Sequence, residues 1–269
     1  MYSFGVFGDL HYAGDVKYAD RCCGFSLEKL KVCLEIFKSR NVGFILNLGD
    51  LIDTSGSYER DRADLSEIMR VISGHGLTVY NVTGNHDLVS MSKKEFCCTV
   101  NPYIRKAYYS FDNDMFHLIV LDANFSSDGM EYCRNDFDWK DSIIPDEQLD
   151  WLASDLDKCG QETVIIGIHQ NLDDKGPADQ DRQHMVKNSD RVKKIIKGCD
   201  KKVLVLQGHF HPGYYQNIDG IDFLTIRAMC EGEGYENNSF GIIHVSSDAK
   251  IRFEGFYMQP DVLLRENRA

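Results

Sequence analysis

Five short clusters of Asp, Asn and His punctuate this chain, each directly after an apolar run. The runs at 3–7, 43–48, 77–82, 163–168 and 202–206 lead into these clusters. In order the clusters are Gly8-Asp9-Leu10-His11, Gly49-Asp50-Leu51-Ile52-Asp53, Gly84-Asn85-His86-Asp87, His169 and Gly208-His209-Phe210-His211. Short apolar runs bounded by turn residues read as buried strands. Helical patterns at 26–39, 61–73, 145–158 and 189–197 alternate with them, so the pattern predicts an α/β fold whose first strands are parallel. In open α/β sheets, ligands bind at the carboxyl ends of strands. Five polar strand ends can therefore converge on one place, and the glycines permit the tight turns and close backbone approach this needs.

Further strands are expected at 107–111, 116–121, 222–226, 241–245 and 250–257. The tail beyond Lys202 shows strands and no helix, so its strands are expected to be antiparallel and the architecture mixed. Ser26 is placed to cap the first helix, whose Leu27, Leu30, Leu34 and Phe37 form one apolar stripe. No repeat and no Pro/Gly/Ser-rich linker divides the chain, and only five prolines occur, so residues 1–269 are expected to form a single domain. Residues 124–144 and 171–188 read as long loops, which in compact domains are often functional. Both are expected to face substrate.

The set Asp9, His11, Asp50, Asn85, His169, His209 and His211 offers oxygen and imidazole donors and no thiolate. Such donors suit Mn, Fe, Zn or Co. Seven ligands exceed one ion and suit two, and one carboxylate can bridge ions about 3.5–4 Å apart, as in two-metal hydrolytic sites. His86 follows Asn85, so it must lie near the metals, where it can protonate a leaving oxygen or stabilise charge. Asp53 can hold the orientation of His86 as an outer carboxylate does, and Asp87 is expected to bond backbone amides after the turn.

Charge narrows the partners. The chain carries 30 Lys and Arg against 42 Asp and Glu, a net charge of −12. That disfavours a nucleic acid polymer, and a phosphorylated substrate would need bound cations to reverse the sign locally. No run of about 18 apolar residues exists, so no membrane span is expected. The apolar opening lacks a basic n-region and meets Asp9 too early for a secretory leader. Nine cysteines without a C-x-x-C spacing are read as free thiols in a reducing cytoplasm.

The five clusters follow the order D-x-H, G-D-x-x-D, G-N-H-D/E, H and G-H-x-H. Over residues 4–211 the chain thereby resembles the calcineurin-like metallophosphoesterases. The resemblance implies a central β-sandwich of two mixed sheets flanked by helices, a four-layer α/β fold. It implies that Asp9, His11, Asp50 and His211 hold one metal, that Asp50, Asn85, His169 and His209 hold the other, and that Asp50 bridges. Ser26-Leu27-Glu28-Lys29-Leu30, Tyr108-Tyr109-Ser110-Phe111, Leu121-Asp122-Ala123 and Gln148-Leu149-Asp150-Trp151-Leu152 look like the Mn-dependent ADP-ribose/CDP-alcohol diphosphatase group. That group carries Gln where this chain has His11, which resembles the cyclic-nucleotide and glycerophosphodiester branch.

The expected function is hydrolysis of a phosphodiester or nucleotide diphosphate by a hydroxide bridging two divalent ions, with Mn the ion expected to serve in vitro. The substrate would be small and phosphorylated; nothing in the sequence sets the oligomeric state. Tyr132 and Trp139, with Phe137, are candidates to stack on a base. His184 and Asn188, with Arg182, are candidates for phosphate or ribose, as is Arg21. A phosphomonoesterase or protein phosphatase of the same fold is one alternative. The protein-phosphatase branch, however, follows G-D-x-x-D with Arg-Gly, where this chain has Thr54-Ser55. The other alternative is a non-catalytic scaffold, against which stands the presence of every ligand position.

Overall fold

Alternating apolar residues along the central strands dictate the layering. In β6 (Thr163–Ile168), Ile165 points to one side, while Val164 and Ile166 point to the other; all three are buried. A strand buried on both faces must be covered on both. We describe the computed structural model over residues 1–14 and 21–264.

Five strands form the first sheet: β1 (Tyr2–Phe7), β2 (Ile45–Asn47), β3 (Val79–Asn81), β10 (Ser239–Val245) and β11 (Ile251–Tyr257), in the order β11-β10-β1-β2-β3. As the alternation predicts, β1, β2 and β3 are parallel. The second sheet has β4 (Tyr109–Asp112), β5 (His117–Val120), β6, β7 (Lys202–Gln207), β8 (Tyr214–Ile218) and β9 (Ile221–Thr225), in the order β4-β5-β6-β7-β9-β8. The sheets pack through Phe4, Val6 and Leu46 on one side and Leu118, Ile165, Leu204 and Leu224 on the other.

The outer face of the first sheet is covered by α1 (Cys23–Ser39), α2 (Tyr58–His75) and α3 (Lys93–Val100). The stripe Leu27, Leu30, Leu34 and Phe37 is buried there with Phe7 and Ile45. The outer face of the second carries α4 (Asp146–Lys158) and α5 (Ser189–Lys197), through Leu149, Leu152, Leu156, Val192 and Ile196. Each such side chain contributes about 1.5–3 kcal/mol on burial. Two mixed sheets flanked by helices are the architecture expected.

Three local features differ from the sequence reading. First, α1 starts at Cys23, and Ser26 lies buried within its first turn rather than at its cap. Second, β7 and β9 are parallel, not antiparallel. The extra strand β8 takes the sheet edge and turns back through Asp219-Gly220 into β9, which leaves β9 beside β7. Asp219 and Gly220 both have positive φ, +53° and +87°, as a two-residue hairpin turn requires. Third, α3 was not expected. It rests on a capping box in which the Glu95 amide donates to Ser92 Oγ and the Ser92 amide to Glu95 Oε2.

Candidate metal centre

The carboxyl ends of β1, β2 and β3 meet those of β6 and β7 along one edge of the sandwich. Backbone bonds stitch the loops together: the Asp9 amide donates to Gly49 O, the His11 amide to Asp50 O, and the Gly208 amide to His169 O. Four polar residues there have left-handed backbone. φ is +53° at Asp9, +46° at His11, +54° at Asp50 and +68° at His209. Such conformations cost about 1–3 kcal/mol each for non-glycine residues and cluster at functional sites. At Gly84, any side chain would run into the Asp50 carboxylate, and at Gly208 a Cβ would sit 2.7 Å from Asp9 Oδ2. Glycine is needed at both for this close approach.

All seven expected ligand residues come together. Asp9, His11 and Asp50 each bring a ligating atom within 4.8 Å of the others, and so do Asp50, His169 and His209. Asp50 belongs to both groups. His169 Nε2 lies 3.2 Å from Asp50 Oδ2 and 3.2 Å from Asn85 Oδ1, while His211 Nε2 is 3.7 Å from Asp9 Oδ1. Only His211 is appreciably exposed. His169 is oriented by its Nδ1–H, which donates to Leu48 O at 2.8 Å. Such outer partners fix a ligand's tautomer and ring direction.

The electrostatics are those of a cation site. Both ring nitrogens of His11 and Nε2 of His209 are buried and make no hydrogen bond. Burial drops the His11 pKa to about 3 and that of His209 well below its ordinary value, so both imidazoles offer lone pairs. Burial opposes a charge on His169, but Asp50 and Asp9 beside it raise it to about 9. A proton there stands between carboxylates where a metal would otherwise balance them. Burial would also raise Asp50, yet His169 and His86 bring it well below the carboxylate range. Burial raises the Asp9 carboxyl, against the pull of His169 and His211. Buried lone pairs of O and N type, with the Asp50 carboxylate held charged, fit two hard or borderline divalent ions.

Around this core, His86 Nδ1 lies 3.1 Å from Asp53 Oδ1, and Arg21 Nη1 lies 3.2 Å from His86 Nε2 and 3.0 Å from Asp53 Oδ2. The Asp87 carboxylate accepts from the amides of Gly84, Asp50 and Leu51, at 2.8, 3.0 and 2.8 Å. It therefore locks the second cluster against the third.

A cavity of about 580 Å³ opens onto Asp50, Asn85, His86, His209 and His211. Its walls include Trp139 and His184, one from each long loop. Arg21 stands behind the cavity-lining His86, whereas Tyr132, Asn188 and Arg182 lie elsewhere. Tyr132 is fully buried, stacked on Phe137 at 4.2 Å with its hydroxyl donating to Asp138 O, so it packs the loop rather than reaching the cavity. Asn188 bonds the amide and carbonyl of Ile144 and ties the two loops together. Arg182 is exposed and paired with Asp174.

Three participants carry no sequence signal of their own. Glu231 Oε1 lies 3.3 Å from His211 Nδ1, and Asp179 Oδ1 lies 2.7 Å from His184 Nδ1. Phe210, between two expected ligands, lines the cavity with Pro177 and Pro212.

Known proteins resemble this chain in sequence and in fold. The profile of the calcineurin-like phosphoesterase family matches residues 2–226. The chain is 24% identical over 301 residues to the manganese-dependent ADP-ribose/CDP-alcohol diphosphatase of Arabidopsis thaliana, covering 95% of this chain and 94% of that protein. It is 23% identical to a probable cyclic nucleotide phosphodiesterase of Fibrobacter succinogenes, over 64% of this chain and 59% of that protein. The fold superposes on a dimetal phosphatase from Danio rerio with a TM-score of 0.82 at 19% identity, covering 98% of both chains. It superposes on the purple acid phosphatase PPD1 of yellow lupin (Lupinus luteus) with a TM-score of 0.63 at 14% identity, covering 96% of this chain and 51% of the other. At these identities the structural likeness speaks for the fold alone. With a family profile that covers residues 2–226 and all five clusters, this chain is a metal-dependent phosphoester hydrolase and belongs to the calcineurin-like phosphoesterase family.

Proposed function

We propose that the protein hydrolyses the phosphoanhydride or phosphodiester bond of a small nucleotide-like substrate. The observation that carries this reading is the cavity: its wall is built from Asp50, Asn85, His209 and His211 of the metal-ligand cluster and from the apolar side chains of Trp139, Phe210 and Pro177. A phosphoryl group at the cluster puts an attached base or choline-like group against that wall. The low-identity likeness to a diphosphatase supports the anhydride, and His11 in place of Gln supports the diester.

Asp9, His11, Asp50 and His211 would hold one ion and Asp50, Asn85, His169 and His209 the other. Such a pair neutralises phosphoryl oxygens and makes water nucleophilic near neutral pH. Mn is the ion expected to serve at both positions in vitro, as in the name of the Arabidopsis relative.

The chain's own residues supply the rest. Arg21 has only N–H donors, so His86 Nε2 must accept when the two are bonded. A proton on Nε2 and the Arg21 bond exclude each other. When substrate draws the guanidinium onto a phosphate oxygen, His86 is freed to carry a proton at Nε2 and pass it to the leaving oxygen. Asp53 keeps Nδ1 fixed throughout. Trp139 and His184 close the cavity from the two loops.

The reading takes residues 1–269 as one catalytic unit, supported by the core shared between the sheets. No helix among the described residues is long and apolar enough to cross a membrane. None of the nine cysteines is bridged, as suits a cytoplasmic protein.

The test is a phosphorus NMR time course of Mn-loaded protein with ADP-ribose, CDP-choline, cyclic AMP, glycerophosphocholine and a simple phosphomonoester. Loss of the anhydride or diester signals is expected. Loss of the monoester alone would contradict the reading.

A further inference from the structure

We propose that Cys230 is a sulfur donor to the ion held by His11 and His211, so that this position takes a thiophilic divalent cation such as Zn(II). This rests on the assignment of those two histidines to one ion, given above, and adds a donor absent from the expected ligand set.

The segment after β9 runs back beside the first cluster. Met229 donates its amide to Gly8 O at 3.2 Å and Cys230 donates to Asp9 O at 3.0 Å. One ring nitrogen each of His11 and His211 and the Cys230 Sγ lie within 4.8 Å of one another. Zn–N bonds of about 2.0–2.1 Å and Zn–S bonds of about 2.3 Å would bring such atoms about 3.3–3.6 Å apart.

Its surroundings, rather than its burial, separate Cys230 from a core cysteine such as Cys33. A buried cysteine ordinarily packs as a small hydrophobe, as Cys33 does among Leu30, Leu34 and Phe37 of α1. Cys230 is equally buried, but it belongs to none of the apolar clusters. Charged groups around it include Asp9, Glu231, Arg21 and Lys29. Beside it His11 is buried with both ring nitrogens free of hydrogen bonds. An orphaned buried donor of this kind calls for a ligand.

The chemistry balances without an oxidant. The thiol releases its proton to solvent as the sulfur lone pair bonds the metal. One soft donor among oxygens and imidazoles shifts preference from Mn(II) toward thiophilic ions.

Cobalt substitution tests this directly. Wild-type protein should bind two Co(II) ions, showing visible d–d bands and a near-ultraviolet thiolate-to-cobalt charge-transfer band. Cys230→Ser should keep the stoichiometry and the d–d bands and lose the charge-transfer band, while Cys98→Ser, at an exposed cysteine, should keep all three. In chelator competition, Cys230→Ser should weaken Zn(II) at least about tenfold, the low end for losing even an outer partner, and leave Mn(II) nearly unchanged. Two bound Co(II) ions with no charge-transfer band in wild type, or a band that persists in Cys230→Ser, would overturn the Cys230 assignment and leave the two-metal reading standing. No Co(II) uptake at all would overturn both. Should Cys230→Ser fail to fold, the wild-type band decides alone.

Discussion

His86 sits between two partners that demand the same tautomer. Asp53 can accept its Nδ1 proton while Arg21 donates to Nε2, and although burial opposes a charge on the ring, Asp50 and Asp53 raise its pKa, so His86 can take a proton at Nε2 once Arg21 moves. A general acid typically contributes about 10²–10⁴-fold, so His86→Ala should lower kcat by that order with metal content unchanged. Lost metal would make His86 a ligand instead. Arg21→Ala should raise KM more than it lowers kcat, because the guanidinium is assigned to the phosphate; steady-state kinetics read the split. At this scale the sequence was informative wherever a donor directly follows a strand. Asp9, Asp50, Asn85 and His209 sit at strand ends because the sheet edge is where their side chains meet. Glu231 and Asp179 were silent because each reaches its histidine from a segment with no pattern of its own, and only the tertiary fold makes those pairs.

Among the elements, α2 carries an avoidable penalty. Asp64 is buried near the middle of the helix with Oδ2 unpartnered, and that burial, with Asp61 and Glu67 nearby, lifts its pKa to about 6. A carboxyl whose folded pKa is raised weakens the fold as pH rises from about 4 through about 6, where the folded state alone still binds the proton. Asp64→Asn should therefore melt higher than wild type at about pH 7.5, with the gain shrinking to nothing by about pH 4; an equal gain at both would refute the cause. Trp139→Ala should remove one wall of the cavity and raise KM for nucleotide substrates while sparing a small phosphodiester. Equal losses on both would make Trp139 a packing residue. Long amphipathic elements such as α1 and α4 were legible because their stripes are periodic. The two-turn α3 was not, although Ser92 and Glu95 spell its capping box. Nor was β8, whose Asp219-Gly220 turn joins strands too short for alternation to register.

For the whole molecule, a net charge of −12 and a phosphorylated substrate are reconciled only by cations at the sandwich edge. Binding to the folded state alone also stabilises it, by about 2.7 kcal/mol at a ligand concentration 100 times Kd. Chelation should thus abolish turnover and lower Tm together, and Mn(II) should restore both; a Tm indifferent to chelator, once elemental analysis shows the ions gone, would argue against ions bound in the buried cluster. The apolar runs and helical stripes made an α/β fold legible, while the four-layer sandwich was legible only through the five motifs and the family they resemble, because strand pairing between the two sheets leaves no local pattern. The measurement that reaches the central claim is the metal content per chain of Mn-reconstituted wild type and of Asp50→Asn. Two ions in wild type and no more than one in the variant, with activity lost, is the predicted result. Two tightly held ions and full activity in Asp50→Asn would contradict a shared carboxylate at the heart of the site.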